Sequence, residues 1–76
     1  QAIRISIIAE LDAINLYEQF AEATKDDKVR EIFLDVAREE KTHVGEFLEL
    51  LKILDEEQKS ELDKGADEVD EIMELK

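Results

Sequence analysis

The sequence lacks several residue types that stabilise or interrupt small folds. Cysteine, proline and tryptophan are absent, and glycine occurs only twice among 76 residues. Without cysteine no disulfide can form, so metal binding or oligomerisation must stabilise a chain in which a single hydrophobic core is marginal. Without proline, long helices are not interrupted. We therefore expect one small all-α domain covering residues 1–76.

Basic residues and long apolar runs are also scarce. Ten Lys and Arg face 22 Asp and Glu, giving a net charge of −12, and 42% of the residues are charged. Such a charge argues against binding nucleic acid or an anionic membrane surface and suits metal cations. The sequence predicts no transmembrane helix and no secretory signal, and we expect a cytoplasmic location. Because the chain begins with Gln1 rather than methionine, native residues or a fused domain can be missing from either end.

Three helices are predicted. The first covers about residues 2–24, and the polar segment 24–27 forms a turn in which Asp26 or Asp27 can cap the second helix, over about 28–55. So short a connection predicts an antiparallel hairpin. A shorter, strongly acidic third helix follows. Either Asp55 or Ser60 can begin it, and we place it at about residues 60–75.

Each of the first two helices carries a stripe of residues spaced alternately four and three apart, as expected for a helix face that packs on a partner. The first stripe consists of Ile3, Ile7, Glu10, Ile14, Tyr17 and Ala21. The second consists of Val29, Phe33, Val36, Glu40, His43, Phe47, Leu50 and Leu54. Neither stripe contains a Lys or Arg that could neutralise its carboxylates, and burying an unpaired carboxylate costs several kcal/mol.

Glu10, Glu40 and His43 are the candidate metal ligands. Counted from a turn centred near residue 25.5, the three lie at similar heights, within roughly 3 Å along the helix axes. Two-metal carboxylate bundles take a Glu from each of two helices and a Glu-x-x-His pair from each of the other two. The chain offers one of each, so we expect two copies to dimerise into a four-helix bundle with a site holding two metal ions. Oxygen and imidazole donors suit iron, with manganese or zinc as alternatives.

Less specific interpretations apply to the same residues. Glutamate is so frequent that a Glu three residues before the single histidine is a weak motif by itself, and a histidine on an apolar face is often an ordinary core residue. The placement of Glu10 at the same height favours metal. Tyr17 can either hydrogen-bond a ligating carboxylate or serve as a core aromatic, and Gly45 is expected to permit a close helix approach. A histidine must be unprotonated to bind metal, so binding should weaken as the pH falls through the range in which histidines protonate.

The sequence resembles the encapsulated ferritins, two-helix relatives of ferritin and rubrerythrin that work inside encapsulin nanocompartments. The resemblance covers about residues 5–55 and lies in the run from Ala9 to Gln19 and in Arg38-Glu39-Glu40-Lys41-Thr42-His43, with Glu40 following Tyr17 by 23 residues. It implies that Glu10, Glu40 and His43 bind iron, with Glu40 bridging both ions and Tyr17 behind them. It further implies a ferritin-like bundle, a dimer-borne ferroxidase centre and a ring of dimers, commonly a decamer. In the family an acidic residue can stand just before the first ligand, whereas this sequence has Ala9 at that position.

The leading hypothesis is a ferroxidase that oxidises Fe(II) with dioxygen and supplies Fe(III) for mineral storage in an encapsulin shell. One alternative is peroxide reduction, as in rubrerythrin, although no cysteine-bound iron is available to relay electrons. Another is a non-catalytic module in which interfacial metal holds two hairpins together. An acidic helical oligomer without metal is the simplest remaining interpretation.

Overall fold

The computed structural model describes residues 1–75, which form three α-helices and, within that range, no strand. The helices are α1 (Ala2–Ala23), α2 (Asp27–Leu54) and α3 (Glu56–Ile72). The predicted all-α fold is confirmed; α1 ends one residue earlier than predicted, and α2 both begins and ends one residue earlier than predicted. None of these helices is long and apolar enough to cross a membrane.

The turn between α1 and α2 is fixed by two side chains. Asp26 caps α2, and its Oδ1 accepts hydrogen bonds from the backbone amides of Lys28 (2.9 Å) and Val29 (3.1 Å). Arg30 reaches back across the turn and donates to the carbonyl oxygens of Ala21 (3.1 Å) and Thr24 (2.7 Å). These carbonyls lie at the end of α1, where the helix leaves backbone acceptors without partners of their own.

The predicted start of the third helix at about residue 60 is wrong. Asp55 ends α2 through its amide, which donates to the Leu51 carbonyl, and caps α3 through its carboxylate, which accepts from the Gln58 amide at 3.0 Å. One residue thus serves two helices, and α3 begins at Glu56 and runs through Gly65. It ends at Ile72 rather than near 75 because Glu74 adopts a left-handed conformation with φ of 58°. Lys76 lies outside the described residues.

The hairpin is held by a thin core. Among the described residues, the buried apolar residues are Ile14 and Ala21 on α1 and Ala37 and Leu51 on α2. The predicted stripe on α1 does face α2, since all of its members are buried or half-buried. The predicted stripe on α2 is only partly correct, because the face that meets α1 is centred on Ala37 and Leu51. Val29, Leu50 and Leu54 are consequently turned outward and are 39%, 41% and 66% exposed.

The whole molecule is a single layer of helices, with principal extents of 44 × 34 × 13 Å. Stable domains normally bury a core between at least two layers. Gly45 does not mark a close approach between the helices of this chain, since nothing lies within 4 Å of the position that its Cβ would occupy. Both broad faces of the layer are therefore open to partners.

Candidate metal centre

The structure brings all three predicted ligands together near the middle of the hairpin. Glu40 and His43 follow one another at i and i+3 on α2, so their side chains project from the same side of the helix. Glu10 projects from α1 at the same height. One donor atom from each residue lies within 4.8 Å of the other two. Donor atoms at these separations could together hold one cation.

The distances and burial of the three groups match what a cation would require. Nδ1 of His43 lies 3.5 Å from Oε2 of Glu10 and 3.5 Å from Oε2 of Glu40. The carboxylate side chains are only 21% and 20% exposed, whereas the imidazole is 45% exposed. The cluster is thus shielded on the hairpin side and open beside His43.

Glu10 provides the most direct evidence that the cluster suits a cation. Its Oε2 is buried and has no hydrogen-bond partner within the described part of the chain. A buried carboxylate oxygen without a partner is costly, and no Lys or Arg forms an ion pair with either Glu10 or Glu40 in residues 1–75. A cation bound between the two carboxylates would remove this cost. The donor set, two oxygens and one imidazole nitrogen, fits iron, manganese or zinc.

Contacts around the cluster hold the two helices in register. Lys41, next to Glu40, forms an ion pair of 3.1 Å with Glu18 on α1. Deeper towards the turn, the Tyr17 ring stacks on Phe33 with a centroid distance of 6.3 Å. Among the described residues no hydrogen bond to the Tyr17 hydroxyl is formed, so the role predicted for it beside a carboxylate stays a prediction. The Lys41–Glu18 pair is not predicted from the sequence, because it joins two helices and therefore has no characteristic sequence spacing.

The fold agrees with comparisons to known proteins. The chain matches the Rubrerythrin family over residues 1–74. The chain belongs to the rubrerythrin family. It is 61% identical over 72 residues to a ferritin-like–encapsulin shell fusion protein of Pyrococcus furiosus, covering 95% of this chain and 21% of that protein. It is 43% identical over 53 residues to the encapsulin nanocompartment cargo protein EncB of Myxococcus xanthus, covering 70% of this chain and 34% of the relative.

A solved structure gives the same result in three dimensions. The crystal structure of the encapsulated ferritin domain from Pyrococcus furiosus is 63% identical and matches with a TM-score of 0.89, covering 92% of this chain and 71% of that one. The resemblance to encapsulated ferritins and the all-helical fold are therefore confirmed. The chain spans only about a fifth to a third of the two curated relatives named above.

Proposed function

We propose that this rubrerythrin-family chain is a ferroxidase that takes Fe(II) as substrate and passes its electrons to dioxygen. The observation that carries the proposal is the convergence of Glu10, Glu40 and His43 around a buried carboxylate oxygen that has no partner. Two Fe(II) ions each lose one electron, and one dioxygen with two protons takes up both electrons as hydrogen peroxide. Iron bound at such a site supplies the redox chemistry, while the protein holds two ions close together.

The site of one chain is half of the proposed centre. Two glutamates and one histidine cannot surround two ions, whereas two such sets related by a twofold axis supply four carboxylates and two imidazoles. The open side of the cluster is the side that carries His43, and it is bordered by outward apolar residues of α2, which we call the histidine-side face. These residues are Val29, Ile32, Leu50 and Leu54, which are 39–66% exposed. A second copy on this face would complete the centre and form a four-helix bundle.

The residues would have separate roles in this centre. Glu40 is the carboxylate that the resemblance to encapsulated ferritins implies would bridge both ions. Glu10 and His43 would each hold one ion, and the neutral imidazole would leave the total ligand charge low enough for Fe(II) and Fe(III) both to bind. Tyr17, stacked on Phe33, would keep the buried end of the site free of water.

The relatives suggest where the iron goes. Two are named for encapsulin nanocompartments or an encapsulin shell. We propose that this chain likewise works inside an encapsulin compartment, as a ring of dimers such as a decamer, and supplies iron for mineral storage there. A single layer of helices encloses no storage cavity of its own.

Oxygen-dependent oxidation of Fe(II), followed by the absorbance of Fe(III), tests the proposal. Glu10→Ala, Glu40→Ala and His43→Ala should each lower the initial rate by at least about tenfold, as expected when a ligand to a catalytic metal is lost. Glu39→Ala, an exposed neighbour on the same helix, is the matched control and should keep the wild-type rate. A rate in the ligand variants equal to that of the control would refute the assignment.

The family match favours peroxide reduction as a second candidate, since the family takes its name from rubrerythrin. The same site would then transfer electrons from Fe(II) to hydrogen peroxide. Turnover measured with oxygen and with peroxide at equal concentration distinguishes the two. A metal that only joins two hairpins would give negligible turnover with either oxidant, and its removal would dissociate the protein.

A further inference from the structure

The junction between α2 and α3 consists of one residue, Asp55, whose backbone is extended, with φ of −138° and ψ of 93°. The helical hydrogen-bond pattern nevertheless continues up to it from both sides. The Asp55 amide donates to the Leu51 carbonyl at 2.9 Å, and the Lys59 amide donates to the Asp55 carbonyl at 3.0 Å. Joining α2 and α3 into one helix would therefore add only about three backbone bonds, from the amides of residues 56–58 to the carbonyls of residues 52–54.

The sequence around Asp55 permits a continuous helix as well as a bend. Residues 52–58 contain neither glycine nor proline, the residues at which helices usually break. Lys, Leu, Glu and Gln make up most of this segment and are good helix formers. Asp is suited to cap a helix but is also tolerated within one. Contacts from elsewhere in the chain must therefore hold the bend.

Two contacts hold α3 in the bent position, and together we call them the latch. The first is the ion pair between Arg4 of α1 and Asp55, in which Nη2 lies 2.6 Å from Oδ2. The second is apolar, since Leu62 of α3 lines an open groove of about 290 Å³ together with Leu48 and Leu51 of α2. In a continuous helix Leu62 and Leu48 would be separated by roughly 21 Å, so this contact exists only in the bent state.

Within residues 1–75, little else holds α3 to the hairpin. No residue of α3 is buried, and no Cα atom of α3 lies within 8 Å of one in α1 among these residues. Charge opposes the bend, because α3 contains eight acidic and two basic residues and lies beside a hairpin that is itself acidic. A continuous helix would carry this acidic surface away from the hairpin. The bent state thus depends on the latch.

We propose that Asp55 is a hinge and that α3 is an arm held in place by the latch. When the latch is released, Asp55 takes up helical backbone angles, and α2 and α3 join into one helix over residues 27–72 that is roughly 69 Å long. Release separates Leu62 from Leu48 and Leu51, so the latch determines how much apolar surface the hairpin exposes. Loss of the Asp55 charge alone leaves the Leu62 contact in place and does not release the arm. The hinge operates whether or not the metal centre oxidises iron.

Spin labels on the two helices measure the hinge directly, because the chain contains no natural cysteine to be labelled as well. Glu46→Cys on α2 and Glu68→Cys on α3, both exposed positions, carry nitroxide labels. The labelled chain is diluted with an excess of unlabelled chain, so that distances within one chain dominate. In a continuous helix the two Cα atoms are roughly 33 Å apart. In the bent state they are clearly closer, because α3 turns back until Leu62 lines the same groove as Leu48.

Releasing both halves of the latch should lengthen this distance. In Arg4→Ala/Leu62→Ala the longer distance, measured by double electron–electron resonance, should become the main one, since alanine also favours helix. Arg38→Ala/Val69→Ala is the matched control and should keep the wild-type distribution. Arg38 is exposed and pairs with Asp35, and Val69 is 57% exposed on α3 and does not line the groove. Equal distributions in the two double variants would overturn the proposal.

Amide exchange distinguishes a joined helix from an arm that simply unfolds. The Glu56 amide lies in the first turn of α3, where it has no helical acceptor, and it gains one only when the helices join. In Arg4→Ala/Leu62→Ala its exchange should slow at least about twofold, because half or more of the chains then protect it. Faster exchange across residues 60–70 without slower exchange at Glu56 would show unfolding of the arm and contradict the proposal. Amides within α1 should keep wild-type protection, and their loss would show that the latch stabilises the hairpin itself, against the proposal.

Discussion

Oε2 of Glu10 on α1 lies 3.5 Å from Nδ1 of His43 on α2, and this buried oxygen has no hydrogen-bond partner in the described chain. The acid and the imidazole come from positions 33 residues apart, yet the hairpin places them at one height. With Glu40 at the same distance from the imidazole, two partly buried carboxylates share a small volume without a neutralising cation. The arrangement is costly for the metal-free chain and suited to a bound metal.

Replacing Glu10 with Gln should therefore separate stability from metal binding. Removing one of two adjacent carboxylates relieves like-charge repulsion, so the metal-free protein should be as stable as wild type or more stable, while affinity for Mn(II) or Fe(II) falls by at least about tenfold, or 1.4 kcal/mol. Thermal unfolding with a chelator and calorimetric titration under nitrogen measure the two quantities. Glu39→Gln, at an exposed position, should change neither. Loss of stability without loss of affinity would contradict a ligand role.

The hydrogen bonds from Arg30 to the end of α1 should make this side chain a main contributor to the stability of the turn. Arg30→Ala removes two bonds from a charged donor to backbone carbonyls, and the free energy of unfolding should fall by about 1–2 kcal/mol after allowance for a side chain that is 40% exposed. Arg38→Ala is the control, since Arg38 is 73% exposed and its guanidinium pairs, within residues 1–75, with Asp35 alone; it should change stability by less than about 0.5 kcal/mol. Urea unfolding at a fixed protein concentration compares them, and equal effects would disprove the role of Arg30.

The start of α3 should depend on pH through Asp55. The hydrogen bond from the Gln58 amide, followed by that from Arg4 at 2.6 Å, holds the pKa of Asp55 below its usual value of 3.8. A group whose pKa is lowered by folding stabilises the fold above its unfolded-state pKa, and this contribution is lost as the pH falls through the lower, folded value. The amides of Gln58 and Lys59 should lose protection against exchange, measured relative to their intrinsic rates at each pH, as the pH falls below about 4. Asp55→Asn keeps a capping side chain without the charge, so exchange at these amides should lose that pH dependence; an unchanged profile would be inconsistent with Asp55 as its source.

The end of α3 contains a strained residue. Glu74 has φ of 58°, and the Leu75 amide donates to the Asp70 carbonyl at 2.8 Å, which is the helix-ending turn that glycine usually provides. Glu74→Gly should stabilise this turn by about 1 kcal/mol because glycine adopts a positive φ without steric cost. Glu71→Gly, inside the helix, should destabilise it by a similar amount. Amide exchange at Met73 and Leu75 reports both effects, and faster exchange in Glu74→Gly would contradict the expectation.

Much of the hairpin could be predicted because local signals agree there. Asp26 caps α2, the four-three pattern on α1 selects the face that packs, and the short turn sets the register that unites Glu10 with the Glu40–His43 pair. Two features could not be predicted. The apolar residues of helix α2 cover such a wide arc that two of its faces could pack against α1. Only the position of α1 decides that the face with Ala37 and Leu51 is the one buried. Ser60 resembles a cap as closely as Asp55 does, and the choice depends on Arg4, which is 51 residues away from Asp55.

We propose that two copies of this chain share one two-metal centre. A crystal structure of protein prepared with iron, with the metal located by anomalous scattering, is the decisive test. We expect one iron per chain, in pairs on a twofold axis, with Glu10, Glu40 and His43 of both chains as ligands. Iron bound by residues of a single chain, or a metal pair that leaves Glu10 turned to solvent, would contradict it.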